Sequence, residues 1–209
     1  MAVANLLLDH HADPKVVDNT GITPLYAAIL AGDEKLARRI VELDCDHLIL
    51  CRVDSGYTPF SMAVLKGFSA LVRLFLEKGQ DGTSIVDNEG RSCIQFAAAK
   101  GHLSILNHLV NLQPESIFTV DDWRQDALEY AAGTGNNNTL SRLIELGVTA
   151  NGLQRGIHSP LHQAVKGGCF STVDLLLRAG ADVKLITTLP WRTTSNIPIS
   201  DIPNLFENP

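Results

Sequence analysis

The sequence predicts an all-α repeat solenoid, a row of stacked helix pairs rather than a globule with one centre. Three observations carry the prediction. Gly32, Gly67, Gly101, Gly135 and Gly168 recur at intervals of 35, 34, 34 and 33 residues. Each follows a nine-residue segment whose sixth position is alanine: Ala28, Ala63, Ala97, Ala131 and Ala164. A small residue at one fixed helical position lets neighbouring helices approach closely, so packing as well as spacing repeats. After each glycine comes a second run with apolar residues at helical spacing.

The chain opens with a half-repeat, residues 1–17, in which Val3, Leu6, Leu7 and Leu8 give helical spacing. His11 stands in a slot that favours glycine, which predicts a less regular helix end. An outer helix without its partner suggests a piece of a longer array. Repeat one, 18–52, begins with the turn signal Asp18-Asn19-Thr20-Gly21 and the helix start Thr23-Pro24, where threonine caps and proline sets the first turn. The connector behind its second helix holds a β-like run, His47 to Val53. Repeat two, 53–86, has Gly56 and Thr58-Pro59-Phe60, and its second helix carries Leu71, Leu74 and Phe75. Repeat three, 87–120, replaces Thr-Pro with Ser92-Cys93 and stops its second helix at Gln113-Pro114. Repeat four, 121–153, puts Arg124 where a turn glycine is usual and Asp126-Ala127-Leu128 in place of Thr-Pro-Leu. Repeat five, 154–184, is the most regular. The tail, 185–209, carries Pro190, Pro198, Pro203 and Pro209, which argue against a regular helix pair. Its Leu189, Trp191, Ile197 and Ile199 suit a cover over the last repeat; a degraded sixth repeat or a linker remains open.

Ser159-Pro160-Leu161-His162-Gln163-Ala164, a glycine stop at Gly167-Gly168, the leucine run 175–177 and Gly180-Ala181-Asp182 together resemble the ankyrin repeat. Its signature is Thr-Pro-Leu-His-x-Ala at a period of about 33 residues. Thr23-Pro24-Leu25 and Thr58-Pro59-Phe60 are specific matches too, whereas repeats three and four depend on the period; the resemblance covers residues 2–184. It implies a β-hairpin finger and two antiparallel helices per unit, and a non-enzymatic module that binds a partner protein along its concave face.

On the family pattern, the contact positions flank each turn glycine and precede each helix-ending glycine. They include Asp54, Tyr57, Glu89, Arg91, Asp122, Trp123, Gln125 and His158 on the fingers, and Leu65, Lys66, Lys100 and Lys166 on the inner helices. Tyrosine, tryptophan and arginine are enriched at interface hot spots. The charges predict a basic floor under acidic fingertips, suited to a mixed-charge peptide or loop. Trp123 has two readings: an exposed anchor, or an indole folded back because Arg124 lacks the glycine's freedom. Asn151 resembles the asparagine that oxygen-sensing hydroxylases modify in such repeats. An ankyrin segment of a larger regulatory or effector protein, or an enzyme on this scaffold, are the other functional readings.

Composition narrows the field. The chain has 209 residues, 45% of them apolar, enough for a continuous core. Its net charge of −6 has the wrong sign for gripping nucleic-acid phosphates. No apolar run approaches the ~20 residues of a membrane span. Cys45, Cys51, Cys93 and Cys169 lack paired spacing, which fits free thiols in a reducing compartment, so a monomer in the cytoplasm or nucleus is expected. No cofactor and no metal are expected: Asp9-His10-His11-Ala12-Asp13 is dense in ligand types, but adjacent helical positions diverge by about 100°. His162 matches the family's structural histidine, and no phosphate loop or nucleophile motif is present.

Overall fold

The computed structural model describes residues 2–43, 46–79, 82, 84, 86–153 and 159–184. Within them lie α1 (Ala2–Asp9), α2 (Pro24–Leu30), α3 (Glu34–Glu42), α4 (Pro59–Lys66), α5 (Ser69–Glu77), α6 (Cys93–Lys100), α7 (Leu103–Leu112), α8 (Ala127–Thr134), α9 (Asn137–Glu145), α10 (Pro160–Lys166) and α11 (Phe170–Arg178). The even-numbered helices α2 to α10 stack side by side as an inner layer, and α3, α5, α7, α9 and α11 stack outside them. No strand forms among the described residues; one antiparallel bridge joins Val86 and Ser92.

The helix starts follow from local chemistry. Thr23 Oγ1 accepts a hydrogen bond from the Tyr26 amide at 3.1 Å. Thr58 and Ser61 cap each other, with Ser61 N donating to Thr58 Oγ1 at 3.1 Å and Thr58 N to Ser61 Oγ at 2.9 Å. The helix ends depend on the periodic glycines, all in the left-handed region, from φ +68 at Gly168 to +84 at Gly32. His11 adopts the same conformation without being glycine, at φ +60.

The core is one continuous layer between the two helix rows. Leu25, Ile29, Phe60, Phe75, Ile94, Leu106 and Leu128 are fully buried along its length, each contributing roughly 1.5–3 kcal/mol. The β-like run after α3 is not a strand. Asp46–Leu50 forms a 3-10 helix, which turns Leu48 and Ile49 inward together and buries both. A pleated strand would have sent one of them outward. A second 3-10 helix, Pro114–Phe118, follows α7 where Pro114 ends the α-helical ladder.

Two devices tie units together. In the third and fourth units the residue after the helix-ending glycine reaches back to the previous inner helix: Asn136 Nδ2 donates to Ala99 O at 2.8 Å, and His102 Nε2 lies 3.2 Å from Leu65 O. These contacts occupy carbonyls that a helix C-terminus leaves unpaired. At the far end α8 and α10 approach through glycines, since a Cβ on Gly167 would sit 2.3 Å from the Gly133 carbonyl oxygen.

Candidate partner-binding face

The first four fingers are tight turns built on the same bonds. Val53 N donates to Tyr57 O at 2.9 Å, Asp87 N to Arg91 O at 3.1 Å, and Asp121 N to Gln125 O at 3.1 Å. An aspartate opens three of the fingers and holds the turn with its side chain. Asp87 Oδ1 accepts from the amides of Glu89 and Arg91, both at 2.9 Å. Asp121 Oδ1 accepts from Trp123 N at 3.0 Å and Gln125 N at 2.8 Å. Asp18 does the same for Thr20 and Ile22. All three lie fourteen residues before a helix-ending glycine, a spacing visible in the sequence that would have identified them.

The fourth fingertip is exposed, from Asp122 to Arg124. Arg124 takes φ +64, the conformation that Gly21, Gly56 and Gly90 have in the first three fingers, so the turn keeps its path. Trp123 therefore points outward, 54% exposed, and the folded-back alternative does not occur. The left-handed conformation costs an ordinary residue about 1 kcal/mol or more. Arg124→Gly is accordingly expected to raise stability by about 1 kcal/mol, measured as a higher urea midpoint at unchanged m-value.

The third fingertip is different. Arg91 Nη2 lies 2.7 Å from Asp87 Oδ2 and 2.7 Å from Glu89 Oε2, and also donates to Tyr57 Oη at 2.8 Å. Its guanidinium carbon stands 5.5 Å from the Phe96 ring centroid, whose ring is 5.7 Å from that of Tyr57. Arg91, Glu89 and Tyr57 thus form a strut between fingers two and three, half-buried and neutralised within the chain. Asp54 and Asp122 remain exposed, with Asn88 Nδ2 donating to Asp54 O at 2.8 Å and Asp122 N to Glu89 O at 3.2 Å. Gln125 is half-buried, and its carbonyl accepts from Gln95 Nε2 at 2.7 Å.

On the inner helices Lys66, Lys100 and Lys166 are exposed and pair with no described carboxylate, while Leu65 is half-buried beside them. Lys66 and Lys100 each directly precede a helix-ending glycine; Lys166 sits one place earlier, in the column of Leu65 and Ala99. His158 lies outside the described residues, as do Cys45, the start of the fifth finger and the tail 185–209. Asn151 is half-buried, and its Oδ1 accepts from the Asp182 amide at 2.7 Å, tying the fourth unit to the end of the fifth. Among the described residues no three His, Cys, Asp or Glu side chains come together as metal ligands, and no helix is long and apolar enough to cross a membrane.

Behind the fourth finger lies a carboxylate pair that pattern matching passed over. Asp126 and Glu129 cap α8 reciprocally, Glu129 N donating to Asp126 Oδ1 and Asp126 N to Glu129 Oε2, both at 2.9 Å. Asp126 Oδ2 also accepts from Leu153 N at 2.8 Å. Both residues are buried, at 1% and 2% exposure. Burial, and then the Asp126 charge, push the Glu129 carboxyl up to about 8, and burial raises Asp126 as well. The i, i+3 acidic spacing was the available signal. Tyr130, one turn on, donates to Asp121 Oδ2 at 2.6 Å; burial and that carboxylate raise its pKa. Met62 and Phe96, at the equivalent position of earlier units, are buried in the core.

Comparison with known proteins gives a consistent picture. The family model described as ankyrin repeats (3 copies) matches residues 1–86, 38–118 and 94–187. The chain is 31% identical over 189 residues, 87% of its length, to the ankyrin repeat and KH domain-containing protein mask-1 of Caenorhabditis elegans, of which that span is 7%. It is 34% identical over 94 residues, 43% of its length, to human ankyrin repeat domain-containing protein 63, spanning 24% of that protein. The crystal structure of the human ASB11 ankyrin repeat domain superposes with a TM-score of 0.76, covering 98% of this chain and 92% of that one at 20% identity, a likeness of fold.

Proposed function

Because the chain belongs to the ankyrin repeat family, whose arrays are protein–protein interaction modules, we propose that it is a non-enzymatic adaptor that holds a partner protein against its fingers and inner helices. The observation that carries this reading is the fourth fingertip. Trp123 is 54% exposed on a turn held open by a left-handed Arg124, and large exposed aromatics on rigid supports are interface anchors. On the inner helices, Lys66, Lys100 and Lys166 offer exposed positive charge, while Asp54 and Asp122 offer negative charge at the tips. A segment of mixed charge with an apolar pocket for the indole fits this face.

The test is affinity capture from native extract, wild type beside the triple variant Trp123→Ala, Lys66→Glu, Lys100→Glu, after both are shown to match in circular dichroism and melting. A protein retained by the wild type and lost from the variant supports the adaptor and its face. Equal retention moves the interface elsewhere, and an empty capture removes the support. A second reading, an ankyrin region within a larger regulatory protein, is favoured by length, since the chain spans only 7% and 24% of the two curated relatives above.

A further inference from the structure

The chain contains a single Asn-Gly pair, Asn151-Gly152, and the fold sets it at the joint between the fourth and fifth units. Asn151 closes that joint on one side, since its Oδ1 accepts from the Asp182 amide at 2.7 Å. On the other side Leu153 N donates to Asp126 Oδ2 at 2.8 Å, which ties the turn to the residue that caps α8. Between them Gly152 stands at φ +76. Its nitrogen donates to Thr149 O at 2.9 Å, while Thr149 Oγ1 donates to Gly152 O at 2.8 Å. Asn151 and Gly152 are both half-buried.

Such a pair carries its own reagents. The side-chain amide carbon of asparagine is an electrophile, and the backbone nitrogen of the next residue can close a succinimide ring on it. Glycine suits the reaction, because no Cβ crowds that nitrogen and its backbone turns freely. Here both reagents are engaged: Thr149 O holds the Gly152 N–H, and the Asp182 amide holds the Asn151 side-chain oxygen. Attack requires the turn to release both, so the chemistry is coupled to local opening of the joint.

We propose that Asn151-Gly152 is a self-modification site that converts transient opening of this joint into permanent loosening of the fifth unit. On opening, the Gly152 nitrogen bonds to Asn151 Cγ and gives up its proton. The Cγ–Nδ2 bond breaks, and ammonia leaves with that proton. Water then opens the succinimide. Cleavage between Gly152 N and Cγ leaves aspartate, and cleavage between Gly152 N and the Asn151 main-chain carbonyl carbon leaves isoaspartate. The steps are redox-neutral and consume only water. Isoaspartate routes the main chain through the side-chain carbon and lengthens it by one atom. The joint has no room for that atom: a Cβ on Gly152 would already sit 3.1 Å from Pro160 Cδ and 3.3 Å from Asp126 Oδ2. The bonds to Asp182 and Asp126 therefore do not both re-form.

To test this, the whole chain is held in mildly alkaline buffer made with heavy-oxygen water, either folded or in urea. The proteolytic peptide carrying Asn151 is followed by mass spectrometry. Loss of ammonia with uptake of one labelled oxygen is expected in both samples, about tenfold or more slowly in the folded chain. Thr149→Val removes the hydroxyl bond across the turn, and Asp182→Pro removes the donor to Asn151. Each is expected to speed the folded reaction severalfold and to leave the urea reaction unchanged. Melting curves first confirm the fold, and Thr149→Val stands alone if Asp182→Pro unsettles the last unit. Amide hydrogen exchange of the purified isoaspartate form is expected to show protection lost from α10 and α11 and kept in α2 to α7. Asn151→Asp, which changes the charge and not the main-chain length, is expected to keep protection throughout. The proposal is overturned if no labelled product forms, if folded and unfolded chains react at the same rate, or if neither variant speeds the folded reaction. It is also overturned if the isoaspartate form exchanges like wild type. None of these readouts involves a partner, so the adaptor reading stands or falls separately.

Discussion

Gly167→Ala is expected to destabilise the array by about 1–3 kcal/mol, the usual cost of overfilling a tight contact. The added Cβ would sit 2.3 Å from the Gly133 carbonyl oxygen and 3.1 Å from its carbon. Both are backbone atoms, so no side chain can swing aside and α10 must move away from α8. Gly167 has φ −76, which alanine adopts readily, so helix propensity works for the substitution by roughly 0.5–1 kcal/mol and only sterics oppose it. Its neighbour supplies the control. Gly168 has φ +68 and nothing within 4 Å of a built Cβ, so Gly168→Ala costs only the left-handed conformation, about 1–2 kcal/mol. Thermal melts of both, with limited proteolysis across α10 and α11, separate the causes: loosening of the α8–α10 contact belongs to Gly167→Ala alone. A Gly167→Ala chain as stable as wild type would rule out the close approach.

The second large effect concerns Glu129 and depends on pH. Its folded pKa of about 8 is raised above the ordinary 4.5. A raised carboxyl contributes stability that is fully present below its unfolded pKa and is lost as pH rises through the folded value. Stability should therefore fall between about pH 4.5 and 8, by up to about 1.4 kcal/mol per pH unit from this group. Glu129→Gln removes that dependence while keeping the cap, because Gln95 already plays the part in the preceding unit, accepting from Ser92 N at 2.6 Å. At pH 8 the variant should be more stable than wild type by at least about 1 kcal/mol, with the difference shrinking towards pH 5. Urea denaturation of both proteins at pH 5, 6, 7 and 8 checks it; parallel curves would show that Glu129 ionises normally.

Much of the fold was legible because it is written in local rules repeated five times. The helix-ending glycines needed φ > 0, and the alanines at the sixth position are all buried, Ala28 at 4% and the other four at 0%. The run from His47 to Val53 misled because consecutive apolar residues suit a buried strand and a buried helical turn alike. The binding face was less legible. Arg91 has the composition of a hot spot, but the carboxylates that neutralise it, Asp87 and Glu89, share its own turn, and only coordinates reveal that closure. Trp123 could not be placed until Arg124 was seen to accept glycine's conformation. Asp126 and Glu129 resemble surface residues, and the burial that perturbs them comes from neighbouring units that no local window contains.

The direction of the cross-unit bonds bears on how the chain is made. His102 reaches back to Leu65 and Asn136 to Ala99, so the ends of α4 and α6 are closed by residues synthesised later. On a ribosome adding about 5–20 residues per second, one interval of 34 residues takes roughly 2–7 s. α4 and α6 therefore wait that long with open carbonyls before the following unit arrives to seal them. At these two joints maturation trails translation by one unit, and the nascent chain carries an unfinished edge until the next unit emerges.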